Sequence, residues 1–177
     1  KVYNEAGNLV DLSDQPFVDK LYENVRVTVT VDGKVLAVPI ESMAWGVLYN
    51  KAIFTECGLT APKTLDDLKN IVSVLESKNY TPFMLAYQEQ WVPQLMTALA
   101  LGGKVSGDVT DWVERMYKDA GSYEEVREIF DVIDLIMQHG TDRAMEEGSQ
   151  AGAADFANGK AAIFLQGTWA ASTIMET

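Results

Sequence analysis

Two short runs of consecutive apolar residues, Pro82-Phe83-Met84-Leu85-Ala86-Tyr87 and Ala161-Ala162-Ile163-Phe164-Leu165, set the strongest limit on what this chain can fold into. Runs of that length without polar alternation read as buried strands. The segments around them carry helix patterns. Pro62, Thr64 and Asp67 form a helix start, with Thr64 as cap and Asp67 where a capping-box acid belongs. The helix is expected to reach Lys78 and to bury one stripe of Leu65, Leu68, Ile71, Val72 and Leu75, which fall at three- and four-residue spacing.

A second helix is expected from Trp91 to Leu101, ended by Gly102-Gly103. A third starts at Ser122, with Glu124 and Glu125 in a first turn where the helix dipole favours acids. Its expected core stripe is Val126, Ile129, Phe130, Ile133, Ile136 and Met137, and Gly140 is expected to terminate it. A small-residue helix carrying Phe156 is expected between Ser149 and Asn158. Strands alternating with such helices predict an α/β layer, helices flanking a sheet.

Upstream, Val25 to Val31 alternates valine with arginine and threonine, the period of a strand, and Asp32-Gly33 is the pair a tight hairpin turn prefers. Val35-Leu36-Ala37-Val38-Pro39-Ile40 is the expected returning strand. A further strand is expected at Gly46-Val47-Leu48-Tyr49-Asn50, after an interruption at Glu41-Ser42-Met43-Ala44.

At 177 residues the length fits one buried core, a domain or a large piece of one. Twenty-six acidic against fourteen basic side chains give a formal charge of −12, which repels phosphate backbones and makes nucleic acid a poor partner. No stretch approaches the roughly 20 apolar residues of a membrane span. Cys57 is the single cysteine, so no intrachain disulfide can form, and a buried small hydrophobe is its expected role. His139 is likewise alone, and neither a metal site nor a cofactor is expected. The chain opens at Lys1 without a secretory leader and stops at Thr177 soon after a helix start, which suggests a piece of something longer.

In open α/β sheets ligands settle outside the carboxyl ends of strands, where loops and helix starts present free backbone N–H groups. Three places follow: Glu41 to Trp45, Gln88 to Trp91, and Gln166 to Trp169. Three of the four tryptophans lie there. A sugar ring has an apolar face of C–H groups and a rim of hydroxyls, which a flat indole flanked by carboxylates or amides can match. Trp91 with Glu89 and Gln88, and Trp169 with Gln166 and Gly167, fit that chemistry, and Trp45 would add a third wall. A tryptophan at such a junction also serves as a core plug, and that reading stands beside the ligand reading for each. Trp112, among Val113 and Met116 on a helix, is assigned to packing. Glu41 and Glu89 would need a set separation to act as a glycosidase pair, which the sequence does not fix; no catalytic residue is assigned.

Read in order, Asp32-Gly33-Lys34-Val35-Leu36-Ala37-Val38-Pro39-Ile40, Val47-Leu48-Tyr49-Asn50-Lys51, Gly58-Leu59 and Pro62-Lys63-Thr64-Leu65-Asp66-Asp67-Leu68 closely resemble the extracellular solute-binding proteins of ABC sugar importers, the maltose-binding-protein-like family. Phe156-Ala157-Asn158-Gly159-Lys160-Ala161-Ala162-Ile163-Phe164 and Gly167-Thr168-Trp169 resemble its late motif. The resemblance covers nearly the whole chain.

It implies an α/β, type II periplasmic-binding-protein-like fold, two lobes joined by crossing strands around a ligand cleft. Residues 1–40 would be the tail of the first lobe, 41–44 the hinge crossing and 45–177 most of the second lobe. It further implies that Trp91 and Trp169 stand where relatives stack sugar rings and Glu89 where a relative binds a hydroxyl. In the crossing, where a relative has a carboxylate, this chain has Met43, with Glu41 two positions earlier, so the identity of the sugar does not carry over. The implied role is binding without catalysis: a carbohydrate is caught outside the cytoplasm, in a periplasm or at a cell surface through a lipid anchor outside this segment. Hinge closure then delivers it to the permease subunits of an ABC transporter. A non-sugar solute is the alternative, although an anion would call for arginine or lysine in these loops, where Lys51 lies just beyond; a carbohydrate-active enzyme is the third.

Overall fold

The computed structural model describes residues 2–104 and 109–177 and gathers the chain into two compact units, Lys1–Met43 and Ala44–Thr177. The first unit contains helix α1 (Val2–Glu5), a 3-10 turn at Val18–Lys20, helix α2 (Glu23–Val29) and a hairpin of β1 (Thr30–Val31) and β2 (Lys34–Val35). The hairpin turn is the expected one. Asp32 and Gly33 both take positive φ, 51° and 77°, as a two-residue primed turn demands.

The expected strand from Val25 is a helix instead, and only Thr30–Val31 pairs. A strand needs a partner along its length, and continuing the register of Thr30 with Val35 would bring Pro39, which has no N–H, opposite Arg26. The helix satisfies its backbone internally, and Thr28 and Thr30 donate their hydroxyls to the carbonyls of Val25 and Arg26 at 2.7 Å each. The returning strand likewise stops at Val35, and Val38 and Ile40 are exposed. Val35 is buried: its N–H donates to the Ser13 hydroxyl at 3.0 Å and its carbonyl accepts from Leu12 N–H at 2.8 Å.

The second unit runs β3 (Trp45–Tyr49), α3 (Lys51–Cys57), α4 (Leu65–Ser77), β4 (Phe83–Met84), α5 (Val92–Lys104), α6 (Val109–Tyr117), a 3-10 turn (Tyr123–Val126) and α7 (Glu128–Gln138). It finishes with α8 (Ser149–Ala157), β5 (Ile163–Gly167), a 3-10 turn (Thr168–Ala170) and α9 (Ala171–Glu176). The sheet order is β3-β5-β4, with β5 antiparallel to β3 and parallel to β4. All five residues of β5 are buried. Ile163 and Leu165 pack into a core with Phe83, Leu85, Leu75 and Ile136, whereas Phe164 joins Met84, Ala86, Ala153 and Phe156 in a second. Cores on both faces of the sheet explain why these strands show no polar alternation.

Of the apolar run at residues 82–87, only Phe83–Met84 forms a ladder. The next N–H groups go to the segment after α7: Leu85 to the Thr141 hydroxyl at 2.9 Å and Tyr87 to the Ala144 carbonyl at 2.7 Å. Burial pushes the Tyr87 phenol up to about 12.

Helix α4 matches its expected bounds, and the capping box is formed, with Asp67 N–H donating to the Thr64 hydroxyl at 3.1 Å and Thr64 N–H to the Asp67 carboxylate at 3.0 Å. Helix α5 does not stop at Gly102-Gly103; it continues to Lys104, whose ammonium pairs with Glu128 at 2.6 Å and suits a helix C-terminus. Ser122 caps as expected, but it caps a 3-10 turn, and α7 starts at Glu128. Phe130 and Met137 are exposed rather than in the core stripe. At roughly 100° per residue they lie about a quarter-turn off the line of Ile129, Ile133 and Ile136. That helix ends at Gln138, and Gly140 forms a bridge to Phe83, where a Cβ would come within 2.3 Å of the Leu85 side chain. Cys57 is half-buried at the core edge rather than inside it, and His139 Nδ1 lies 2.6 Å from the Glu76 carboxylate.

Candidate functional site

The end of β5 and the turn after it build the first wall. Gln166, only 1% exposed, points its amide oxygen at two donors: Trp169 Nε1–H at 2.7 Å and Gly167 N–H at 3.2 Å. Both partners can only donate, so the atom facing them is the oxygen of the amide, not its nitrogen. Gly167 is extended, and its lack of a side chain matters for space. A Cβ there would stand 2.2–2.4 Å from the six-membered ring of Trp169, so that ring lies directly on bare backbone.

Trp91 comes from the other side, one residue before α5. Its ring meets that of Trp169 edge to face, with centroids 5.9 Å apart and planes at 66°. Such aromatic pairs contribute about 0.5–1.5 kcal/mol beyond the area they bury. Yet Trp91 remains 43% exposed and Trp169 37%. Trp45, 44% exposed, is the ladder partner of Gly167 and therefore projects from the same sheet face as the ring seated on that glycine. The pairing of these strand ends extends one step further, with Thr168 N–H donating to the Ala44 carbonyl at 2.8 Å. Three large half-exposed aromatics thus gather at one end of the sheet, none of them a core plug, whereas Trp112 is buried against Val126 and Ile129.

The loop carrying Trp91 is tied down by Glu89. Its carboxylate accepts the backbone N–H of Ser149 at 2.9 Å and the Ser149 hydroxyl at 3.2 Å. Ser149 is the first residue of α8, whose N-cap, Gly148, has no side chain to cap with. Glu89 supplies that function from 60 residues away, and its negative charge suits a helix N-terminus. Two protein donors therefore occupy this carboxylate, leaving part of its acceptor capacity for anything else. Gln88 is exposed, with its N–H bonded to the Glu147 carbonyl at 3.0 Å.

The structure brings together Trp91, Trp169, Trp45, Gln166 and Gly167, and joins Gln88 and Glu89 to the start of α8. Glu41 and Met43 belong to the first unit, where both are exposed. Sequence reasoning missed Ser149 as the partner of Glu89; its one signal was its place at the start of an expected helix. A separate cavity of about 480 Å³ lies among Leu65, Leu68, Met96, Leu99, Val132 and Leu165. It contains no tryptophan, and Lys104 and Glu128 on its rim are paired with each other, so its apolar lining reads as helix packing. Among the described residues no group of three or more His, Cys, Asp or Glu could hold a metal ion, and no helix is long and apolar enough to cross a membrane.

Known proteins are similar to this chain in sequence and fold. The multiple sugar-binding protein of Streptococcus mutans serotype c is 32% identical over 89 residues, half of this chain and 21% of its own length. The apo form of RafE from Streptococcus pneumoniae superposes with a TM-score of 0.80 at 24% identity, covering 99% of this chain and 46% of RafE. A chitin oligosaccharide binding protein gives 0.80 at 25% identity, covering 97% of this chain and 44% of that one. The chain thus spans less than half the length of either of these two structures. Its fold is that of the type II periplasmic-binding-protein-like sugar binders. Residues 2–176 match the family described as bacterial extracellular solute-binding protein, and the chain belongs to that family.

Proposed function

We propose that the protein to which this chain belongs captures a sugar or oligosaccharide outside the cytoplasm and delivers it to the permease subunits of an ABC importer, without chemical change to the ligand. The observation that carries this reading is the pairing of half-exposed Trp91 and Trp169 beside fixed polar groups. Water wets these indoles at a cost, and the C–H face of a pyranose removes that surface from water while leaving its hydroxyls hydrogen-bonded at the rim. The names of the Streptococcus mutans relative and of the chitin oligosaccharide binding protein point to the same class of ligand.

In this reading residues 1–40 are the tail of one lobe, 41–44 a hinge crossing that offers Glu41 and Met43 to the cleft, and 45–177 most of the second lobe. Trp91, Trp169 and Trp45 form the stacking wall, with Gln88 and the spare lone pairs of Glu89 available to hydroxyls. The second lobe takes the sugar first, and closure of the first over it is driven by contacts made only in the closed state. The protein then works in a periplasm or at a cell surface on a lipid anchor.

The test is a tryptophan fluorescence titration of the full-length protein against mono- and oligosaccharides, with Trp91→Ala and Trp169→Ala alongside. Saturable change with one sugar, weakened at least tenfold in either variant (about 1.4 kcal/mol), is expected. Binding of a polyamine, peptide or anion with no response to any sugar would overturn the sugar reading, and turnover of a chromogenic glycoside would overturn the non-enzymatic one.

A further inference from the structure

The geometry points to Gln166 as a positioning residue, one that sets sugar affinity by fixing the Trp169 ring without touching the ligand. This rests on the proposal that Trp169 stacks sugar, and it changes the expected role of Gln166 from ligand contact to support. Three observations converge. Gln166 is 1% exposed, so a bound molecule has no access to it, while Trp169 directly above remains open. Its amide oxygen takes the indole N–H at 2.7 Å, a short bond for a neutral pair, and the same oxygen holds Gly167 N–H at 3.2 Å, locking the acceptor itself in place. The ring is seated on Gly167 with no gap for even one carbon, and its other neighbour is the edge contact with Trp91.

A chemical consequence follows for recognition. The only polar side-chain atom of Trp169 is consumed inside the protein, so the ring itself offers an apolar face and no free donor. Ligand hydroxyls must find their partners elsewhere around the cluster, and a sugar with its C–H face toward Trp169 is favoured over one that would turn a hydroxyl to the indole edge. Because the ring is ordered before the ligand arrives, binding spares the cost of immobilising it, on the order of 0.5–1.5 kcal/mol, or about two- to tenfold in affinity.

The experiment uses the full-length protein with Gln166→Met, a replacement of similar volume that lacks the acceptor, in the native and Trp169→Phe backgrounds. Two readouts are taken: the near-ultraviolet circular dichroism of Trp169, obtained as the native-minus-Trp169→Phe difference, and sugar affinity. Gln166→Met should collapse that difference spectrum without ligand present and weaken binding about two- to tenfold, but change affinity less than twofold when residue 169 is already Phe. An unaltered difference spectrum, or an equal loss of affinity in both backgrounds, overturns the positioning role. The spectrum decides even if no sugar binds, which separates failure of this inference from failure of the sugar reading. Should Gln166→Met not fold, Gly167→Ala displaces the ring with the hydrogen-bond acceptor intact. It should produce the same spectral loss, and an unchanged spectrum there would equally refute the fixed seat.

Discussion

Replacing Glu89 by alanine should destabilise the protein through a helix on which Glu89 does not lie. The carboxylate makes two hydrogen bonds to Ser149, one to the backbone N–H and one to the hydroxyl, at a helix start whose own cap residue is glycine. Loss of a capping side chain costs about 0.5–2 kcal/mol, and loss of a negative charge from a helix N-terminus about 0.3–1 kcal/mol at partly exposed sites. Glu89 is half-buried, so the charge contribution is discounted and a total of about 1–2 kcal/mol is expected. Helix α8 in turn seats Phe156 and Ala153 on Phe164, which gives the loss a route into the core. Urea unfolding of Glu89→Ala should show a lower midpoint at an unchanged slope. Ser149→Ala should cost less than Glu89→Ala, since the backbone N–H still bonds, and should add almost nothing in the Glu89→Ala background. A native midpoint for Glu89→Ala, or full additivity with Ser149→Ala, would refute the cap and return Glu89 to the ligand as its sole partner.

Gly152→Ala, which improves helix propensity, is expected to destabilise all the same by about 1–3 kcal/mol, because the added methyl would stand 2.4 Å from the Ala86 Cβ; thermal unfolding measures it. Asp67 has its carboxyl held below the usual 3.8, first by the Lys63 backbone N–H and then by the Thr64 hydroxyl and N–H. Its contribution to stability is therefore complete above the ordinary carboxylate value and lost as pH falls through the lowered folded one. Asp67→Asn should flatten that part of the acid limb, read from denaturation midpoints across about pH 5 to 2.

What the sequence made legible was local. Thr64 and Asp67 are three residues apart and meet whatever the rest of the chain does, so α4 could be read directly. The two unbroken apolar runs marked buried chain correctly, yet residues 161–165 overlap β5 whereas residues 82–87 pair only at Phe83–Met84, because burial on both sides excludes polar alternation whether or not the backbone joins a ladder. Val25 to Val31 was not legible for the opposite reason: its period is a strand's, but a strand exists only with a partner, and the partner ends at Val35. Phe130 and Met137 are apolar residues just off the buried arc, which a count of apolar positions does not separate from the stripe itself. At the site, Trp169 follows the carboxyl end of β5 as expected, whereas Trp45 opens β3 at its amino end, brought to the same place by antiparallel pairing, and Trp91 lies seven residues past β4. The bond between Glu89 and Ser149 was hidden because it spans 60 residues, and the burial of Gln166 beneath Trp169 because it depends on how the chain turns after Gly167.

The aromatic wall hangs from the end of β5, a strand buried throughout, paired with β3 along its full length and with β4 at Ile163 and Phe164. Its amides should be among the last to exchange with solvent deuterium, opening only when the unit unfolds as a whole. Trp91, carried on a loop, has no such protection by the sheet. If the proposed site binds sugar, the ligand meets one wall as durable as the sheet and one whose hold rests on the Glu89–Ser149 bonds, so loosening that cap would move the Trp91 side while the Trp169 side stays put.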